Sequence, residues 1–143
     1  MFIIKEFDEK YNKKINDFII SIYVEEFGFE QHRKELEEND NSVYVKNGGE
    51  VLFAVDEHDN IIGTIALVKH DNQNVELKKF YVRSDYRGKG LSKELYQKAL
   101  IICRNSGFQR IFLGTYDKLE TAIKFYLKRR IQRNRRNECT RWS

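Results

Sequence analysis

The stretch from Val75 to Gly107 constrains this chain more than any other. An apolar-rich strand, Val75 to Val82, runs into Arg83-Ser84-Asp85-Tyr86-Arg87-Gly88-Lys89-Gly90, a basic, glycine-containing turn. The turn opens directly into a helical pattern, with Leu91, Leu95, Ala99, Ile102 and Cys103 on one face and Gly107 at its end. The first N–H groups of a helix lack intrahelical partners, and the helix dipole places partial positive charge there. Gly88 and Gly90 carry no Cβ, so a phosphate can approach the backbone closely, while Arg87 and Lys89 add full charges. The pattern lacks the G-x-x-x-x-G-K-[ST] of a nucleotide P-loop and the G-x-G-x-x-G of a dinucleotide fold.

The elements on either side follow from periodicity and turn residues. Phe2 to Phe7 reads as a short strand, and Asp8 starts a helical pattern through Tyr11, Ile15, Phe18, Ile19, Ile22 and Tyr23 that Gly28 breaks. A second, mostly polar helix spans about Glu30 to Glu38, and Asn39 to Ser42 and Asn47 to Gly49 are loop signals. Val51 to Val55, Ile61 to Val68 and Val75 to Val82 are strands with short connections, hence antiparallel neighbours. Arg110 to Thr115 reads as a strand that can pair with the preceding one only in parallel, because a helix crosses between them. Asp117 and Glu120 make a capping pair for a last helix.

One domain fits 143 residues, and 41% hydrophobic with 34% charged residues excludes a disordered or membrane-embedded chain. No apolar run reaches the roughly 18 residues of a spanning helix, and the start is charged too early for a secretory signal. Two cysteines, Cys103 and Cys139, make no disulfide framework; Cys103 lies in an apolar helical stretch and reads as a buried thiol, and a cytoplasmic location is expected. His32, His58 and His70 are scattered, and no metal site is expected.

The order strand, Val82-x-x-x-Tyr86-Arg87-Gly88-Lys89-Gly90-Leu91, helix, short strand, then a helix carrying Ala122-x-x-Phe125-Tyr126, resembles the GNAT superfamily of N-acetyltransferases. The resemblance is close from Val75 to Lys128 and looser back to Phe2. It implies an α/β fold whose mixed, mainly antiparallel sheet has flanking helices and splayed fourth and fifth strands. It further implies acetyl-coenzyme A as co-substrate and direct acetyl transfer to a primary amine, on a small molecule or a protein. The turn Arg87, Gly88, Lys89, Gly90, Leu91 and Ser92 would hold the pyrophosphate; serine stands at 92 where glycine or alanine is commoner. Main-chain groups of Phe80, Tyr81 and Val82 would pair with the pantetheine arm, and these residues read equally as ordinary core. Tyr126 matches the tyrosine placed beside the coenzyme A sulfur as general acid, with small Ala122 on the same helix face. Leu119 stands where the family often has asparagine. Glu76, charged in an otherwise apolar strand, is the candidate base acting through water, or a solvent-facing glutamate on an alternating strand. Glu25, Glu26 and Glu30 surround the helix junction that overlooks the family's acceptor site; they could attract a cationic amine or form a solvated acidic face. A homodimer through the final strands is a further implication.

After Lys128 the pattern breaks, dividing the chain into a domain over 1–128 and a tail over 129–143. The tail holds six arginines, no lysine and one acid, a net of +5 that leaves the rest of the chain at −1. Codons permitted for Arg129 to Glu138, read one nucleotide later, can spell Asp-Gly-Phe-Lys-Glu-Ile-Glu-Glu-Met. That resembles a GNAT ending, so a frameshifted tail is expected, with the last two family strands missing or altered. Two other readings stand beside the enzyme: a degenerate domain that binds coenzyme A or a partner without turnover, and a basic arm for nucleic acid with Trp142 as a stacking residue. Nothing in the body suggests a groove-reading module, which disfavours the nucleic-acid reading.

Overall fold

The computed structural model of the chain describes residues 1–113 and 138–141. Its sheet runs in sequence order: β1 (Ile3–Glu6), β2 (Glu50–Val55), β3 (Ile61–Lys69), β4 (Asn74–Val82), β5 (Arg110–Leu113) and β6 (Glu138–Arg141). The first four are antiparallel neighbours, as their short connections dictate for β2 to β4. β5 pairs in parallel with β4 over Asn74↔Arg110 to Leu77↔Leu113, as the crossover by helix α4 (Leu91–Asn105) requires. Backbone bonds from Gln109 and Arg110 to the Gln73 carbonyl (2.7 and 3.0 Å) fix where β5 begins. β6 pairs antiparallel with β5 through an irregular register. The tail therefore supplies a short strand where missing or altered pairing is expected. The proposed helix from Asp117, with Leu119, Ala122 and Tyr126, lies outside the described residues.

Two apolar clusters sandwich the sheet. On one face Leu91, Leu95, Tyr96, Ala99 and Cys103 of α4 pack against Leu52, Ile65, Leu67, Val75 and Leu77. A Cβ at Gly63 would sit 2.9 Å from Leu95 Cδ1, so glycine there lets α4 settle close to the strand. On the other face Ile15, Phe18, Ile19 and Ile22 cover Val51, Phe53, Val55, Ala66 and Tyr81. At roughly 25 cal/mol per Å² of buried apolar surface, these two layers are the main source of the fold's stability.

The first helical pattern is less uniform than its spacing suggests. A 3-10 turn at Glu9–Tyr11, capped by the Asp8 carboxylate, leads into α1 (Asn12–Ile20), and Ser21–Glu26 widen into a π-helix. The second helix is short, with a 3-10 turn at Glu30–His32 followed by α2 (Arg33–Glu37). The connection after it is not a solvated loop. Asn41 is fully buried and donates to Asn12 Oδ1 and Asn16 Oδ1, both at 2.8 Å, while Asn16 donates to the Asn39 carbonyl. This amide network fastens α1 to the start of α3 (Ser42–Lys46), which carries Tyr44 to the α1 face of the sheet.

Candidate cofactor and acceptor site

Strict alternation along β4 would mix charged and apolar residues on both faces. Val75 and Leu77 pack toward α4, so Lys79 would follow them inward and Val82 would point away. The structure resolves the conflict with a β-bulge: Thr64 pairs with Tyr81 and Ala66 with Lys78, leaving Lys79 and Phe80 opposite a single residue. Lys79 takes a left-handed φ of 53°, and its carbonyl accepts a 2.7 Å hydrogen bond from the buried Thr64 hydroxyl. Phe80 and Val82 then pack on the α4 side and Tyr81 on the α1 side. The bulge lies just past Leu77, the last β4 residue paired with the described part of β5. Bulges of this kind re-aim a strand beside a site.

Beyond Val82 a 3-10 turn, Ser84–Tyr86, delivers Arg87, Gly88, Lys89 and Gly90 to the N-terminus of α4. Gly88 and Gly90 have φ of 78° and 87°, conformations that side-chain-bearing residues resist, and an added Cβ at either would meet no atom of the described residues within 4 Å. The α4 N-terminus has no side-chain cap. Its first N–H groups, from Leu91 and Ser92 onward, precede the first intrahelical bond, Glu94 N–H to the Gly90 carbonyl at 3.1 Å. Lys89 is exposed, with Nζ 5.7 Å from the Tyr86 ring centre. A phosphate would therefore find backbone donors, a helix dipole and a nearby ammonium group.

Arg87 is placed differently from the simplest expectation of a side chain facing phosphate. Its guanidinium is bidentate to Glu26 at 2.9 and 3.1 Å, and its Nε donates to the Val82 carbonyl at 3.0 Å. The Val82 carbonyl is thus occupied from within the chain. Glu26 ends the π-helix, so that local widening places its carboxylate against the turn. Glu76 extends from the α1 face of β4, opposite Val68, with Oε1 2.9 Å from His70 Nε2.

Between Glu26 and the bulge, Tyr23 stacks on Phe29 (4.7 Å) and tilts toward His32 (5.6 Å) and Tyr81 (6.4 Å). Lower on this face Tyr44 meets two lysines, with Lys79 Nζ 5.1 Å and Lys78 Nζ 6.0 Å from its ring centre. Burial, and then the neighbouring Lys78 charge, push the Lys79 ammonium down to about 8. Burial also raises the Tyr44 hydroxyl. Cys103, buried on the inner face of α4, is pushed up to about 12 by desolvation and is no nucleophile at neutral pH. Among the described residues no cluster of His, Cys, Asp and Glu could hold a metal ion, and no helix is long and apolar enough to cross a membrane.

Thr64, Tyr44, His70 and the lysine pair escape a motif-based reading. The lysine pair did leave a signal: Lys78-Lys79 interrupts an alternating strand at the point where the bulge must form. His70 left none, since its contact with Glu76 depends on the hairpin geometry.

The mixed sheet of this order thus carries a bulged strand that leads into a glycine-turned helix N-terminus. The chain belongs to the acetyltransferase (GNAT) family, whose model matches residues 16–130, ending two residues into the arginine-rich tail. It is 36% identical over 72 residues to an uncharacterized N-acetyltransferase of Mycobacterium tuberculosis, covering 50% of this chain and 46% of that protein. The chain thus spans about half the length of such curated relatives. Streptothricin acetyltransferase A of Bacillus subtilis is 31% identical, with 74% of this chain and 62% of that protein covered. Among solved structures, a GNAT-family acetyltransferase from Staphylococcus aureus superposes with a TM-score of 0.86 at 32% identity, covering 95% of this chain and 87% of that one. An acetyltransferase from Clostridium acetobutylicum, solved with acetyl-CoA, shares the fold with a TM-score of 0.79 at 17% identity, over 94% and 92% of the two chains.

Proposed function

We propose that the chain binds acetyl-coenzyme A along Phe80 to Ser92 and transfers the acetyl group directly to a primary amine. The observation that carries this reading is the β4 bulge, set just past the β4–β5 pairing and one turn away from the open helix N-terminus. Main-chain N–H groups of Gly88, Lys89, Gly90, Leu91 and Ser92 receive the pyrophosphate, and Phe80 to Val82 offer backbone to the pantetheine arm and the thioester oxygen. The substrate amine, once neutral, attacks the thioester carbon. The C–N bond forms, the tetrahedral oxyanion collapses, and the C–S bond breaks. Glu76, held in place by His70, takes the substrate ammonium proton through water, and Tyr126 protonates the leaving thiolate; the second nitrogen proton, lost as the amide forms, returns through water to the Tyr126 oxygen.

Residues 1–128 act as the catalytic domain in this account, and 129–143 as an atypical tail. The free, buried Cys103 fits a reducing cytoplasm. The relatives' names include streptothricin acetyltransferase and N-acetylaspartate synthetase, so they do not select one acceptor. Because the family match ends in the tail, a domain that binds the coenzyme without turnover is the competing reading. Release of free thiol from acetyl-coenzyme A over a panel of amines separates the two. Turnover that falls by roughly 10²–10⁴-fold in Tyr126→Phe, with acetyl-coenzyme A binding retained, supports the transferase. Coenzyme binding with no turnover on any amine supports the silent domain.

A further inference from the structure

The face of the sheet beneath α1 and α2 sorts its charges in an unexpected way. Three acids flank the helix junction above it, and two are already neutralised: Glu26 by Arg87, and Glu30 by a bidentate contact with Arg33 at 2.7 and 3.1 Å. The third, Glu25, is exposed and contributes its charge to Arg33. The bases below are in the opposite condition. Lys78 and Lys79 project from consecutive positions of the bulged strand onto the same ring, Tyr44, and form no hydrogen bond or ion pair with any described residue.

Glu35 acts on Lys79 only through its charge at a distance, and neither it nor Glu76 pairs with the lysines. Glu35 of α2 is 82% exposed and sits 3.6 Å from His32, and Glu76 is held by His70. A half-buried ammonium beside a second ammonium, with no anion in hydrogen-bond contact among the described residues, is costly to maintain. Such an arrangement is poised to gain energy when an anion arrives, because each lysine then makes a charge-assisted hydrogen bond in a partly desolvated setting. The bulge also puts these lysines within one or two residues of Phe80 to Val82, the backbone assigned above to the thioester.

We infer that the acceptor is an anionic amine, a molecule bearing a carboxylate or similar acidic group near its amino group, with Lys79 and Lys78 holding the acidic end. The inference rests on the acetyl-transfer reading and names its substrate class. The Tyr44 ring supports the two ammonium groups from below by cation–π contact. Tyr23 and Tyr81 form the wall on the side of the coenzyme turn. The depressed Lys79 ammonium fits the same picture, since a bound anion restores the charge that burial disfavours.

The test compares L-aspartate and L-glutamate with L-asparagine and L-glutamine, O-phosphoserine with serine, and spermidine as a polycation. Binding is measured calorimetrically with coenzyme A present and absent, and turnover is measured alongside. Each acidic amine should bind or react better than its neutral counterpart by roughly 10- to 100-fold, the scale of one charged hydrogen bond. Lys79→Met and Lys78→Met should erase that preference through the acceptor KM or Kd and leave the acetyl-coenzyme A constants unchanged. The carboxylate and phosphate arms identify the acidic group. Preference for spermidine, or an acidic preference that survives both substitutions, would overturn the inference. A protein that binds coenzyme A but no acidic amine sinks this inference alone; one that binds no coenzyme A sinks the transferase reading itself.

Discussion

Arg87 and Glu26 close a bidentate ion pair across 61 residues of sequence, joining the phosphate turn to the end of the π-helix. The guanidinium that sequence reasoning assigns to the cofactor is therefore shared with a carboxylate. Both side chains are 37% exposed, a setting in which such pairs contribute about 0–1 kcal/mol. Glu26→Gln removes the competing negative charge and leaves Arg87 free to turn toward phosphate. The expected result is up to about fivefold tighter coenzyme A binding at low salt, with the gain fading as salt rises. Calorimetric titration at two ionic strengths checks it; weaker binding in Glu26→Gln would mean that the carboxylate positions Arg87 for the ligand instead.

Gly90 separates backbone strain from ligand approach. Gly107 has a similar φ, 83° against 87°, and an added Cβ there also meets no described residue within 4 Å. Alanine at either position should cost about 1–2 kcal/mol for the left-handed conformation. Only Gly90→Ala should also lose coenzyme A affinity, because its Cβ intrudes where a phosphate meets the helix N-terminus. Equal affinity in the two variants, each measured on folded protein, would remove Gly90 from the site.

Glu76 makes a different claim from the turn, since its role lies in proton transfer. Glu76→Gln keeps the shape and a hydrogen-bonding partner for His70, so the fold and the acetyl-coenzyme A constant should hold. The rate of acetyl transfer should fall by roughly 10²–10⁴-fold if the carboxylate serves as base. A full-rate Glu76→Gln protein would assign the residue to the solvated face of β4.

Lys79 should reveal itself in the pH dependence of stability. Its folded value is lowered to about 8 from an ordinary 10.5, so below pH 8 both folded and unfolded chains carry the charge and the burial cost is fully present. Between about 8 and 10.5 the unfolded chain binds a proton that the folded one does not, and stability gains with rising pH. Lys79→Met should therefore stabilise the protein by on the order of 1–3 kcal/mol at pH 6 to 7, with the advantage shrinking toward pH 10.5. Paired thermal melts across that range are the check, and a variant less stable than wild type at pH 6 contradicts the argument.

The elements were legible where local chemistry acts alone. Short turns after Val55 and Lys69 specify antiparallel neighbours, and Gly88, Gly90 and Gly107 bracket α4 as their conformations require. What escaped was set by contacts distant in sequence. The π-helix at Ser21–Glu26 leaves no mark on a 3.6-residue pattern, yet it decides where Glu26 points. Asn41 looks like a loop residue and is buried because Asn12 and Asn16 supply its partners. The bulge was half visible: two lysines in an apolar strand signal a break in register, but the Thr64 hydroxyl that holds it comes from the neighbouring strand.

The central claim is that the coenzyme lies on the bulged strand and the glycine turn. Amide chemical shifts followed by NMR as coenzyme A is added test it most directly. The account predicts saturable shifts concentrated at Phe80, Tyr81, Val82, Gly88, Lys89, Gly90, Leu91 and Ser92, the same set reporting one dissociation constant. Saturable shifts confined to other residues, or none at all at millimolar coenzyme A, would contradict it.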